Sequence, residues 1–136
     1  MEAHYQLSDA GFAAAFADLS LDPILFTHEA HLRLAWIHLR QADPAAVSNL
    51  LCTQIPRYAS HVGAPGKFHR TVTVAAVYAV AHFMQNDEAT TFPAFLAAHP
   101  RLKTHFRELL ATHYSFDIFA SEKARVDYLP PDVLPF

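Results

Sequence analysis

Phe26-Thr27-His28-Glu29-Ala30-His31-Leu32-Arg33-Leu34-Ala35-Trp36 reads as the opening of an apolar helix. Thr27 is a side-chain cap, and Glu29 in the first turn suits the positive end of the helix dipole. The pattern predicts a helix over about 28–41. With His28 set at zero on a helical wheel, Leu32, Ala35 and Leu39 fall within about 40° of it. His31 and His38 lie at the edge of the same stripe. Glu29, Arg33 and Arg40 cluster at about 100–140°, which predicts a solvated face there.

A second phrase, Lys67-Phe68-His69-Arg70-Thr71-Val72-Thr73, opens another helix, expected over about 68–85. Its wheel places His69, Thr73, Ala76 and Val80 together on the apolar side. Both phrases thus aim imidazole into a stripe that should face the core, and a buried imidazole needs a partner.

Around these two helices the chain keeps the same character. Three glycines, many alanines and no Asn-Gly or Asp-Gly turn argue for helices over hairpins. Ser8 caps an expected first helix over about 9–20, which Asp22-Pro23 ends. Asp43-Pro44 starts a third helix carrying Val47, Leu50, Leu51, Ile55 and Tyr58, with Pro56 inside it expected to kink or split it. A loop over 61–66 follows. Thr91-Phe92-Pro93 opens a short fifth helix. Beyond His99-Pro100 a sixth is expected over about 101–113, with Leu102, Phe106, Leu109 and Leu110 inward.

The last stretch, 113–136, differs. Ser121–Val126 suits one helical turn, whereas Leu129-Pro130-Pro131-Asp132-Val133-Leu134-Pro135-Phe136 cannot be a regular helix. Its apolar residues predict a strap across the helices. The expected fold is one all-α domain over 1–136: a bundle of four to six helices with an extended, proline-containing C-terminal tail packed on it.

Composition narrows the function classes. An apolar fraction of 52 % supplies a core without disulfides, and the single Cys52, among Leu50, Leu51 and Ile55, reads as a buried thiol. A net charge of −3 with scattered signs argues against general nucleic-acid binding. The longest uncharged apolar run, about 71–84, falls short of the roughly 20 residues of a membrane span. With no signal-peptide pattern at Met1–Asp9, a cytoplasmic location is expected. Only 17 % of residues are charged, which permits a homodimer.

Ten histidines are the compositional outlier. If helices two, three and four alternate in direction, the N-terminal ends of the second and fourth lie at one end of the bundle. His28, His31 and His69 are then the candidate ligands of a transition metal ion such as zinc, copper or iron. An acidic residue of the tail, Asp117, Glu122 or Asp127, could add a carboxylate. Lys67, Tyr114 and Arg125 are the candidate catalytic groups, and Arg33, Trp36 and Thr73 the candidate substrate contacts. His38, His105 and His113 read as structural, and His4, His61, His82 and His99 as loop or surface positions.

The two histidine phrases resemble, together with Tyr114-Ser115, Ser121–Arg125 and Pro131–Pro135, a family of small bacterial all-helical proteins with no assigned activity. The resemblance spans about 25–136. It implies that His28, His31, Arg33, Lys67, His69, Thr71, Thr73, Tyr114, Ser115, Ser121, Arg125 and Asp132 belong to the family's pattern, and it implies no mechanism. The expected function is therefore a small metal-dependent enzyme acting on a small organic molecule. The alternatives are a non-catalytic small-ligand or haem-binding module, and an interaction or regulatory protein with structural histidines.

Overall fold

The computed structural model describes every residue, Met1–Phe136, and is all-helical. The α-helices are α1 (Asp9–Ala17), α2 (His28–Leu39), α3 (Pro44–His61), α4 (Arg70–Met84), α5 (Phe92–Ala98), α6 (Arg101–Thr104), α7 (Phe106–Ala111) and α8 (Glu122–Val126). Short 3-10 turns lie at Ala3–Gln6, Pro23–Leu25 and Pro65–Lys67. The chain forms two compact units, Met1–Phe68 and His69–Phe136. No helix is long and apolar enough to cross a membrane.

In the first unit α1, α2 and α3 pack on one another. Each starts at the cap its sequence provides. Ser8, Thr27 and Asp43 accept from the backbone N–H groups of Gly11, Ala30 and Ala46, so donors that the helix itself leaves unpaired are satisfied. Phe12, Phe16, Leu32, Leu34, Trp36 and Leu51 are fully buried or nearly so. Phe16 stacks on Tyr58 with ring centroids 4.6 Å apart, and the Tyr58 hydroxyl donates to the Leu21 carbonyl at 2.8 Å. Pro56 lies inside α3 and does not split it: the helix is continuous over Pro44–His61.

In the second unit α4 packs against α8. His69 caps α4: its Nδ1 accepts from Val72 N–H at 3.1 Å, so its Nε2 carries the proton and donates to the Ile118 carbonyl at 2.8 Å. The helix expected over 101–113 is interrupted at His105, whose backbone (φ −135°, ψ 39°) is not helical and whose Nδ1 lies 2.7 Å from Thr104 Oγ1.

The tail crosses this unit as expected, but not through the contacts expected. Thr71, fully buried, donates to the Asp127 carbonyl at 2.8 Å and accepts from Leu129 N–H at 3.0 Å. The Tyr114 hydroxyl donates to the Leu129 carbonyl at 2.8 Å. Asp132 accepts from the backbone N–H and the hydroxyl of Ser115. His113 Nδ1 donates to the Leu134 carbonyl at 2.7 Å, and its ring stacks on Phe136 at 4.2 Å. Val133 and Leu134 stay 61 % and 52 % exposed. Polar bonds to the tail backbone hold the strap, rather than burial of its aliphatic side chains.

Two predictions follow from these clamps. Thr71→Val keeps the shape but strips two tail backbone groups of their partner, a loss of about 1–3 kcal/mol. Urea denaturation reads the loss, and amide exchange at Leu129 should quicken. The second concerns Asp87, which accepts from Ala89 N–H at 2.7 Å and lies 2.6 Å from His99 Nε2. Those bonds, the Ala89 bond foremost, hold its carboxyl below the ordinary 3.8. A depressed carboxyl stabilises the fold fully above its unfolded pKa and loses that contribution as pH falls through the folded value. The stability difference between wild type and Asp87→Asn should therefore be constant near neutrality and shrink below about pH 4.

Candidate functional site

Reading α2 from its cap places its charged residues on the inside. Thr27 is the cap, His28 is exposed, and Glu29 and Arg33, one turn apart, are 7 % and 3 % exposed. Two members of the expected solvated face, Glu29 and Arg33, are instead buried against the N-terminal segment, Arg40 is exposed as expected, and His28 is not in the core stripe. The reason is local. The 3-10 turn Ala3–Gln6 and the start of α1 bring enough acceptors to Arg33 to make its burial tolerable.

Arg33 Nη1 donates to the His4 carbonyl at 2.8 Å and lies 3.3 Å from His4 Nδ1. Its Nη2 donates to the Leu7 carbonyl at 2.8 Å and to Asp9 Oδ1 at 2.9 Å, and its Nε to the same Asp9 oxygen at 3.2 Å. The guanidinium also sits 4.8 Å from the Phe12 ring centroid and 5.2 Å from that of Tyr5.

His4, expected at the surface, is fully buried. Its Nε2 faces two carboxylates, Glu2 Oε1 at 3.2 Å and Glu29 Oε2 at 3.9 Å, yet meets no acceptor in hydrogen-bonding geometry. Burial, and next the Arg33 charge, lower the His4 pKa against the pull of the two carboxylates, so the ring is neutral. Thr27 Oγ1 donates to Glu2 Oε1. Tyr5 is hydrogen-bonded to Glu29, and burial foremost raises its pKa, so its hydroxyl keeps its proton. Asp9 pairs with the guanidinium, while Glu2 and Glu29 lie against the His4 ring. One potential ligand atom from each of Glu2, His4 and Glu29 lies within 4.8 Å of the others.

The residues singled out from sequence are otherwise placed. His28 and His31 belong to the first unit and His69 to the second. His31 stacks on Phe26 at 5.5 Å, and its Nε2 is buried without a partner. Burial, with a smaller contribution from His28, lowers its pKa to about 4. Both ring nitrogens of His69 are engaged in capping α4 and holding Ile118. Lys67 is exposed in the 3-10 turn that precedes α4. Trp36 is buried, with the Arg40 guanidinium 4.8 Å from its ring. Thr73 is buried within α4. Arg125 lies 4.0 Å from Glu122. Tyr114 lines a cavity of about 460 Å³ with Arg107, Phe116 and Phe119, but its hydroxyl is committed to the tail.

Glu2, His4 and Tyr5 were missed. Nothing in their own spacing marks them, since they precede the first cap. The available signal was the Glu29/Arg33 pair one turn apart on an otherwise apolar helix, which calls for polar partners from elsewhere in the chain. No protein-family model, curated protein or solved structure matches the chain.

Removing the centre of this network has a sharp expected cost. Arg33→Met leaves Asp9 and two backbone carbonyls without their donor, and loss of one buried charged partner is worth about 3–5 kcal/mol. Arg33→Lys should recover little of it, because a single ammonium does not reproduce the planar fork. Chemical denaturation of the two variants measures both effects.

Proposed function

We propose that the protein is a small metal-dependent enzyme acting on a small organic molecule, with its metal held by Glu2, His4 and Glu29. The observation that carries this reading is the buried Nε2 of His4, which lacks a hydrogen-bond partner and faces two carboxylates. One imidazole and two carboxylates suit zinc or iron(II) better than a soft ion. Three protein ligands leave a position for water, whose pKa the metal lowers toward neutrality. Of the three residues that would hold the ion, Glu2 is the most exposed, with 29 % of its side chain accessible. Tyr5, whose hydroxyl is bonded to Glu29, would orient that carboxylate as a ligand.

A specific contact favours a second reading. Arginine only donates, so the 3.3 Å approach of Arg33 Nη1 to His4 Nδ1 holds that nitrogen as a lone pair and leaves the proton on Nε2. In that state His4 is a structural group whose Nε2–H lies near two carboxylates, and the protein is an interaction or regulatory module. Ligation by the neutral ring through Nε2 would require that proton to move to Nδ1, where it would face the Arg33 N–H and end the 3.3 Å contact. The shorter bond from Nη1 goes to the His4 carbonyl, so giving up the 3.3 Å contact is a small loss.

Elemental analysis of the full chain, purified without a histidine tag, separates the two. About one equivalent of zinc or iron is expected. It should be lost in Glu29→Gln and in His4→Asn, and kept in the His28→Ala/His31→Ala double variant and in His69→Asn. A chain that takes up no metal after incubation with zinc, copper or iron(II) leaves only the structural reading.

A further inference from the structure

The ligands of this centre are divided unevenly along the chain. Glu2 and His4 come from the segment before α1, and Glu29 comes from α2. Resting on the metal reading above, we infer that a bound divalent ion latches the segment Met1–Leu7 onto α2, so that the supply of metal governs whether this segment is docked.

The way the segment is attached supports this. It buries only one residue, and that residue is the polar His4. Met1 is 93 % exposed, and Ala3 and Gln6 are exposed as well. What ties it down is largely polar: Thr27 to Glu2, Tyr5 to Glu29, and Arg33 to the carbonyls of His4 and Leu7. Docking therefore gains little from apolar burial, while it takes an unpartnered imidazole nitrogen out of water beside two carboxylates. Polar groups buried in that way oppose docking. An ion at the same point turns the opposing groups into ligands and cross-links the segment to α2. The second observation beyond the acidic pair is the His4 ring itself, wholly buried and aimed into the cluster. Undocking also removes two carbonyl acceptors from Arg33, leaving Asp9 as the one hydrogen-bond acceptor among those described above.

The amides of Tyr5 and Leu7 report the docked turn, because they donate to the carbonyls of Glu2 and His4. Hydrogen exchange of these amides in the full chain is the test, measured in EDTA and with zinc, beside a calorimetric zinc titration of the same sample. If the ion binds only the docked state, zinc at 100 times its Kd should slow their exchange about 100-fold. The effect should vanish in Glu29→Gln, and in Glu2→Gln should the former fail to fold. Zinc that binds the wild type stoichiometrically while exchange at Tyr5 and Leu7 changes less than about twofold overturns the latch and leaves the metal centre standing. Absence of zinc binding in the calorimeter overturns the centre, and the latch with it.

Discussion

The buried guanidinium of Arg33 is the constraint on which the first unit depends. A charge at 3 % exposure is tolerable only if its donors are used, and Arg33 uses them on two backbone carbonyls and one carboxylate, all from residues 4–9. That requirement fixes where the N-terminal segment runs. It also sets the rotation of α2, because turning Arg33 inward carries Glu29 with it one turn away and leaves His28 outside. The position of His4 follows in the same way, since its own carbonyl is one of the acceptors Arg33 recruits.

The fold class was legible because it rests on local chemistry. Ser8, Thr27, Asp43, Thr91 and Ser121 each cap the helix that follows, and the alanine-rich, glycine-poor composition leaves strands little support. The tail was legible for a similar reason, since Pro130, Pro131 and Pro135 exclude a helix. Its attachment was not. The argument from apolar burial pointed to the tail's apolar residues as anchors, whereas Thr71, Tyr114 and His113 hold its backbone, Ser115 holds the Asp132 side chain, and Val133 and Leu134 stay in solvent. Likewise, no pattern flagged His105 as a break, because its departure from helix accompanies a contact with its neighbour Thr104 rather than a proline or glycine.

The candidate site was the least legible part. A helical wheel assigns charge to solvent by default, and that default fails when a distant segment supplies partners. Glu29 and Arg33 are the failure: the same i, i+4 spacing that stabilises an exposed pair also builds a buried one. The wheel then placed His28 inward in error. His69, expected as a metal ligand, caps α4 in the structure: a histidine at a helix N-terminus offers its Nδ1 to the backbone as readily as to a metal, and sequence spacing does not distinguish the two.

The two units illustrate what separates a clasp from a site. Each has an irregular segment held by residues near the start of a helix: Thr27 and Arg33 of the first unit grip the N-terminal segment, and His69 and Thr71 of the second grip the region of Ile118 and the tail. In the second unit the grip is closed. His69 uses both ring nitrogens, and Thr71 both donates and accepts. A side chain so committed has no capacity left for a ligand. In the first unit the grip is complete everywhere except at His4 Nε2, which lies within 4 Å of two carboxylates without a hydrogen bond. A buried polar atom left over in an otherwise satisfied network is costly, and the cost is removed by whatever cation or donor completes it. That residual demand, more than the abundance of histidine, is what sets the junction of the N-terminal segment with α2 apart from the clasp in the second unit.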